Sequence, residues 1–261
     1  MSALASVLMA EMSWTEYEAR LKHRPVVILP VGSLEQHGPH SPLATDTIIP
    51  TEIGEAVAER IGGIMAPPIA YGYKSMPRTG GGNHFPGTTS LDGETLINLT
   101  HNILIEFARH GVRRVLILDS HYENEMFLIE GIDLALRDLK SWGVADIKIV
   151  KMRYFEFISD STLSKVFPDG FPGWPLEHAG VMTTSMLLHL RPHLVHMDLV
   201  PNHKPVSYPP YDVFPVDPRS GTQTGILASA RAATAEKGEL LFREFVDRIA
   251  DAATAEFKLT G

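Results

Sequence analysis

Two short segments carry the side chains with the clearest capacity for chemistry. The first reads Gly32-Ser33-Leu34-Glu35-Gln36-His37-Gly38-Pro39-His40 and is followed by Asp46; the second reads Asp119-Ser120-His121-Tyr122-Glu123. In each, a glutamate and a histidine stand two residues apart, so an extended chain projects both to the same side. Three acids and two imidazoles drawn together would repel and shift one another's ionisation unless cations sat among them. Two divalent ions restore the balance. Glu35, Asp46 and Glu123 bring three negative charges, a bridging hydroxide a fourth, and the ions four positive ones. Asp46 is the natural bridge, because one carboxylate can give an oxygen to each ion. Ions about 3.5–4 Å apart polarise a carbonyl and lower the pKa of bound water toward ~7, which makes hydrolysis feasible at neutral pH. A His-x-Glu pair is also an ordinary surface feature, and twelve histidines make chance pairs easy.

A third segment reads Gly173-Trp174-Pro175-Leu176-Glu177-His178-Ala179-Gly180. His178 has no helix-spaced partner for a metal, which leaves it open to two roles: a core histidine capping the following helix, or a general acid over the site. Trp174 is either ordinary core or a flat wall for a planar substrate. Thr79-Gly80-Gly81-Gly82-Asn83-His84 lacks the Lys-Ser/Thr ending of a P-loop, and no G-x-G-x-x-G follows a strand, so a tight turn is expected there.

The elements that must position these loops show in the hydrophobic pattern. Residues 26–29, 113–118 and 147–152 are short, β-branched and continuous, as strands covered on both faces are. The first is expected to stop at Pro30 and Gly32. After the polar loop 33–46, Pro50 suits a first helical position, with Ile53, Val57 and Ile61 recurring every four residues. Leu96, Leu99, Ile103 and Phe107 form a second stripe, ended by Gly111. Leu128, Ile132, Ala135, Leu136 and Leu139 form a third, closed by Trp142-Gly143, and Leu241, Phe245, Ile249 and Ala252 a C-terminal one. Alternating strands and helices predict an α/β fold: a mostly parallel sheet flanked by helices on both faces and joined by right-handed crossovers. Both chemical loops then leave the carboxyl ends of buried strands, where open α/β sheets place their ligand crevice. Residues 201–225 hold six prolines and read as a long ordered arm within one domain spanning 1–261.

Composition narrows the chemistry. The chain has 261 residues, 44% of them hydrophobic, enough for a sizeable core. With 23 Lys+Arg against 31 Asp+Glu, its net charge of −8 would repel a phosphate backbone, so nucleic acid is not an expected partner. It has no cysteine, which removes disulfides, thiolate nucleophiles and Cys-ligated metals together, and any metal must use His, Asp or Glu. The opening residues lack a basic n-region and no apolar run approaches ~18 residues, so neither a secretory signal nor a membrane span is expected, and the setting reads as cytoplasmic.

Taken together, these segments resemble the creatininase (creatinine amidohydrolase) family of small-molecule amidohydrolases over nearly the whole chain. The resemblance is carried by residues 30–38 with Asp46, Tyr71-Gly72-Tyr73-Lys74-Ser75, the run 80–90, Ser120-His121-Tyr122-Glu123-Asn124, the run 130–137, Glu177-His178-Ala179-Gly180 and the Pro-Pro-Tyr-Asp run 209–218. It implies a binuclear centre in which one zinc or manganese ion takes Glu35, Asp46 and His121 and the other takes His37, Asp46 and Glu123. It also implies a homohexamer with active sites near subunit contacts, and a small-molecule substrate, creatinine opened by water to creatine. His178 falls at the family's catalytic histidine, with Glu123 counted beside it. Thr79, Tyr122, Trp174 and Glu177 fall among its substrate contacts. Three positions depart from the family pattern: Phe155 replaces a tryptophan, Pro175 an acid and Thr183 a glutamate. These departures motivate one alternative, a relative acting on a formamide or a cyclic diketone; a second, a non-catalytic binding subunit that keeps the fold, is opposed by the presence of all five ligands and His178.

Overall fold

In this computed structural model, which describes residues 6–259, four short apolar runs pair into one fully parallel sheet. Residues 1–5 of the opening segment read for a targeting signal, and residues 260–261, lie outside the described residues. The strands β1 (Val27–Val31), β2 (Ile64–Met65), β3 (Arg114–Asp119) and β4 (Lys148–Arg153) stand in the order β2-β1-β3-β4. β1 and β3 are therefore direct neighbours, with Val31 opposite Asp119 at their carboxyl ends. This register brings the two chemical loops out of the sheet side by side.

Successive strand residues face opposite ways, and the two faces bury separate cores. Val27, Leu29, Val115 and Ile117 meet Leu96 and Leu104 of α4 (Gly93–Arg109) and Leu128 and Ala135 of α5 (Glu125–Ser141), with Tyr17 and Leu21 of α1 (Trp14–Leu21) alongside. Ile28, Leu116, Leu118 and Met152 meet Ile49, Ile53 and Val57 of α2 (Thr45–Ile61), Val166 of α6 (Asp160–Val166), Met182 and Met186 of α7 (Val181–Leu190), and Leu241, Phe245 and Ile249 of α8 (Ala235–Phe257). The remaining helix, α3 (Pro77–Gly80), is a single turn. The α/β class with helices on both faces is as the sequence predicts. No helix among the described residues is long and apolar enough to cross a membrane.

Both prolines used as boundary markers lie inside elements. Pro30 is within β1, which is paired on both sides. The carbonyls of Val26, Ile28 and Pro30 accept from Ile64, Ala66 and Ile69, so these residues turn their polar groups toward β2. Since β2 ends at Met65, the missing Pro30 N–H costs no bond to β3. Pro50 is the sixth residue of α2, which begins at Thr45. A proline there cannot donate to the carbonyl four residues back, that of Asp46. Ser120 Oγ donates to this freed carbonyl instead and ties the start of α2 to the end of β3. Asp46 thus belongs to the first turn of a helix rather than to the preceding loop.

Two stripes are rotated from expectation. In α4 the buried line runs Leu96, Thr100, Leu104, Ala108, with Leu99 exposed; in α5 Gly131 replaces Ile132 on the buried line and Leu136 faces out. Gly131 is buried because α4 passes close: an added Cβ would meet Ile97 O at 2.9 Å. The α7–α8 contact is tighter still, for a Cβ on Gly238 would stand 1.9 Å from Ser185 O. Gly238→Ala is accordingly expected to destabilise the fold by about 1–3 kcal/mol through overpacking. Calorimetry checks this, and an unchanged unfolding midpoint would contradict such close packing.

Candidate active site

Where β1 and β3 end, Glu35, His37, Asp46 and His121 come together with almost no solvent exposure. The two carboxylate oxygens of Asp46 face different histidines: Oδ1 lies 3.2 Å from His37 Nε2 and Oδ2 lies 3.2 Å from His121 Nδ1. Glu35 Oε1 stands 3.1 Å from the same His121 Nδ1. The outer nitrogen of each ring is held by main chain. His37 Nδ1 donates to Glu35 O at 3.3 Å, and His121 Nε2 to Tyr73 O at 2.9 Å. These bonds leave His37 Nε2 and His121 Nδ1 as the nitrogens turned toward Asp46, the ones that would ligate a metal once free of a proton.

The donor set fits cations. Glu35 Oε2 is buried without a hydrogen-bond partner, as a ligand oxygen would be. Glu35, Asp46 and His121 offer one ligand atom each within 4.8 Å of one another, as do Glu35, His37 and His178. Glu123 belongs to neither trio. Its Oε2 lies 3.5 Å from His121 Nε2, on the far side of that ring, while Oε1 accepts from Met76 N at 3.0 Å and from Thr79 Oγ1.

Burial dominates the electrostatics. It pushes the Glu35 carboxyl up to about 7 against the opposing pull of His121. Asp46 is equally buried, yet His37 and His121 overcome that penalty and hold it below the usual carboxylate range. Burial works against a charged imidazole at His121, but Glu35, Glu123 and Asp46 outweigh it and raise the ring well above its ordinary value. His178 goes the other way: burial, reinforced by His37, drives it well below and keeps it neutral.

His178 lies over this cluster with its side chain 7% exposed and its ring centroid 4.3 Å from that of His37. It does not cap α7. That task falls to Glu177, whose Oε1 accepts from Met182 N and, at 3.3 Å, from Thr183 N; burial pushes this carboxyl up to about 8. Ala179 adopts a left-handed conformation (φ 54°), and Thr184 Oγ1 donates to its carbonyl at 3.3 Å.

One cavity joins the cluster to Thr79, Tyr122, Tyr154, Phe155, Trp174, Glu177, His178, Met182 and Thr183. Every site residue singled out in the sequence lines it. Trp174 packs its ring on Phe155 and Phe171 at centroid distances of 5.3 and 4.8 Å. Pro175 stays outside the lining. Three further lining residues, Ser120, Tyr154 and Met182, were not singled out in the sequence.

Asn124 is a further residue that spacing alone did not identify. Fully buried, it donates to Gly32 O at 3.0 Å and to Asp119 Oδ1 at 3.2 Å, and accepts from Tyr73 N at 2.8 Å. It thereby holds the Tyr73 carbonyl against His121. Asn124→Ala is expected to weaken metal retention by about 10–100-fold, measured by competition with a chelator. Unchanged retention would remove Asn124 from the support of His121.

Residues 10–253 match the sequence profile of the creatininase family, creatinine amidohydrolase. A creatinine amidohydrolase of Pseudomonas putida is 50% identical over 257 residues, 98% of this chain and 99% of its own length. Three solved structures each cover 97% of this chain and 99% of their own. One is a manganese creatininase (TM-score 0.95, 50% identity). Another is a glutamate-to-glutamine creatininase variant of zinc–zinc type (0.96, 49%), and the third is such a variant complexed with creatine (0.95, 50%).

Proposed function

The chain belongs to the creatininase family, and from that premise we propose that it is a metal-dependent amidohydrolase opening the creatinine ring with water to give creatine. The observation that carries the reading is Asp46, a buried carboxylate dividing its two oxygens between two histidines whose outer nitrogens are already held. Glu35, Asp46 and His121 would hold one divalent cation, and His37, Asp46 and Glu123 the other, zinc or manganese as in the related structures. Such a pair supplies Lewis acidity and a hydroxide at neutral pH.

The protein's own groups do the rest. Water adds across the cyclic amide: its oxygen goes to the carbonyl carbon, the ring C–N bond breaks, and the departing nitrogen takes a proton. His178 is the group placed to carry that proton. Its Nε2 donates to Gln36 O at 2.8 Å, so Nδ1 is the nitrogen facing the cavity, 3.5 Å from Glu35 Oε1. Trp174, Phe155 and Tyr122 form an aromatic wall suited to a flat ring and to keeping bulk water out. Thr79 steadies Glu123, and Glu177 fixes the start of α7, which carries Thr183 into the cavity. The same premise extends to one domain with residues 201–225 as an arm, a cytoplasmic setting and a homohexamer, whose mass light scattering would measure.

The test is an assay of the zinc- or manganese-loaded protein with creatinine, formamides and cyclic diketones side by side. Creatine formation from creatinine is expected to exceed turnover of the others. Hydrolysis of either other class with none of creatinine would overturn the assignment.

A further inference from the structure

Gln36 stands between two ligand residues, 6% exposed, and every polar atom it carries is engaged. Its amide N–H donates to Thr88 Oγ1 at 3.0 Å, and its Oε1 accepts from Gly38 N at 2.9 Å. The two hydrogens on Nε2 go to Gly80 O at 2.8 Å and Gly225 O at 2.7 Å. Rotating the amide would set an oxygen against two carbonyls, so its orientation is unique. Three segments converge on this one side chain: the metal-loop turn, the glycine-rich end of α3, and the end of the proline-rich arm. They fit closely. A Cβ on Gly225, where φ is +81°, would stand 1.7 Å from Gln36 Oε1.

The carbonyl of this anchored residue is the one that accepts from His178. His178 Nε2 lies 2.8 Å from Gln36 O and 3.0 Å from Gln36 Nε2. Because both amide hydrogens are already committed, Nε2 has nothing to accept and must itself be the protonated nitrogen. The lone pair is then on Nδ1, toward the cavity. The hydrogen bond made by one ring nitrogen decides the state of the other.

We propose that Gln36 is the positioning residue for His178: its side chain ties the glycine-rich end of α3 and the arm to the metal loop, and its carbonyl fixes His178 with Nδ1 facing the substrate. The inference rests on His178 being the proton carrier. Freed from that carbonyl, the ring could present either nitrogen, and only one presentation serves the reaction.

Gln36→Met keeps the length of the side chain and removes its three hydrogen bonds. In the zinc-loaded enzyme it is expected to retain both ions and leave KM for creatinine little changed, while kcat falls by about 10–100-fold. Nitrogen-15 spectra of labelled histidine are expected to show His178 protonated at Nε2 in the parent and mixed between tautomers in the variant. Gly225→Ala, which drives a methyl group onto Gln36 Oε1 from outside, is expected to reproduce both effects and serves where Gln36→Met does not fold. In the His178→Ala background Gln36→Met is expected to cost nothing further. An equal loss of kcat in both backgrounds, or a single unaltered tautomer in a slowed variant, would overturn the inference. Full turnover by His178→Ala alone would instead overturn the proton-carrier reading, and this inference with it.

Discussion

Exchanging Asp46 for alanine is expected to release both cations and to lower creatinine turnover by at least about 10⁴-fold. The size follows from the nucleophile. A water whose pKa rises from ~7 back toward 15.7 ionises on the order of nine powers of ten less, and the greater reactivity of free hydroxide recovers only part of that. Asp46 is the shared point because its oxygens lie 3.2 Å from His37 Nε2 and 3.2 Å from His121 Nδ1. No other carboxylate in the cluster approaches both rings in this way. The fold should survive, since α2 is joined to β3 through the Asp46 main-chain carbonyl and Ser120 Oγ, which alanine preserves. Metal analysis, turnover and circular dichroism on the same preparation check this. Two retained ions with ordinary turnover would contradict the bridging role.

His178→Ala is expected to produce the second largest effect, a loss of about 10²–10⁴ in kcat with both ions still bound. The ring nearest to it, His37, makes its own bonds to Glu35 O and Asp46, so the metal loop does not depend on His178 for its shape. Burial, reinforced by His37, holds His178 well below its ordinary value, so the resting ring is neutral and can accept a proton at Nδ1 before passing it on. Turnover within a few fold of the parent would remove the proton relay. Lost metal would instead recast His178 as a ligand, in keeping with its grouping with Glu35 and His37.

The pairs Glu35/His37 and His121/Glu123 were legible because strand ends in a parallel sheet gather loops whose chemistry is carried by side chains alone. Spacing could not show that Glu123 accepts from Met76 N and Thr79 Oγ1, since that depends on the position of α3. Nor could it show the supports made by main chain. The carbonyls of Tyr73, Glu35 and Gln36 set three histidine rings, and a carbonyl looks alike at every residue. Pro30 and Pro50 misled for a related reason. A proline marks where an N–H is missing, but whether an element ends there depends on where that N–H would have pointed, past the end of β2 in one case and at the Asp46 carbonyl in the other. The rotated faces of α4 and α5 follow from Gly131, whose lack of a side chain admits α4 to a position that hydrophobicity would assign to Ile132.

On the proposed reading, two cations held at the carboxyl ends of β1 and β3 make this chain a hydrolase. The most direct test strips the protein with a chelator, restores zinc or manganese in steps, and records bound ions per chain beside the rate of creatine formation. Turnover should be absent in the stripped protein and reach its plateau as occupancy approaches two ions per chain. Full turnover with none bound, or a plateau reached at one, would rule out a two-cation centre.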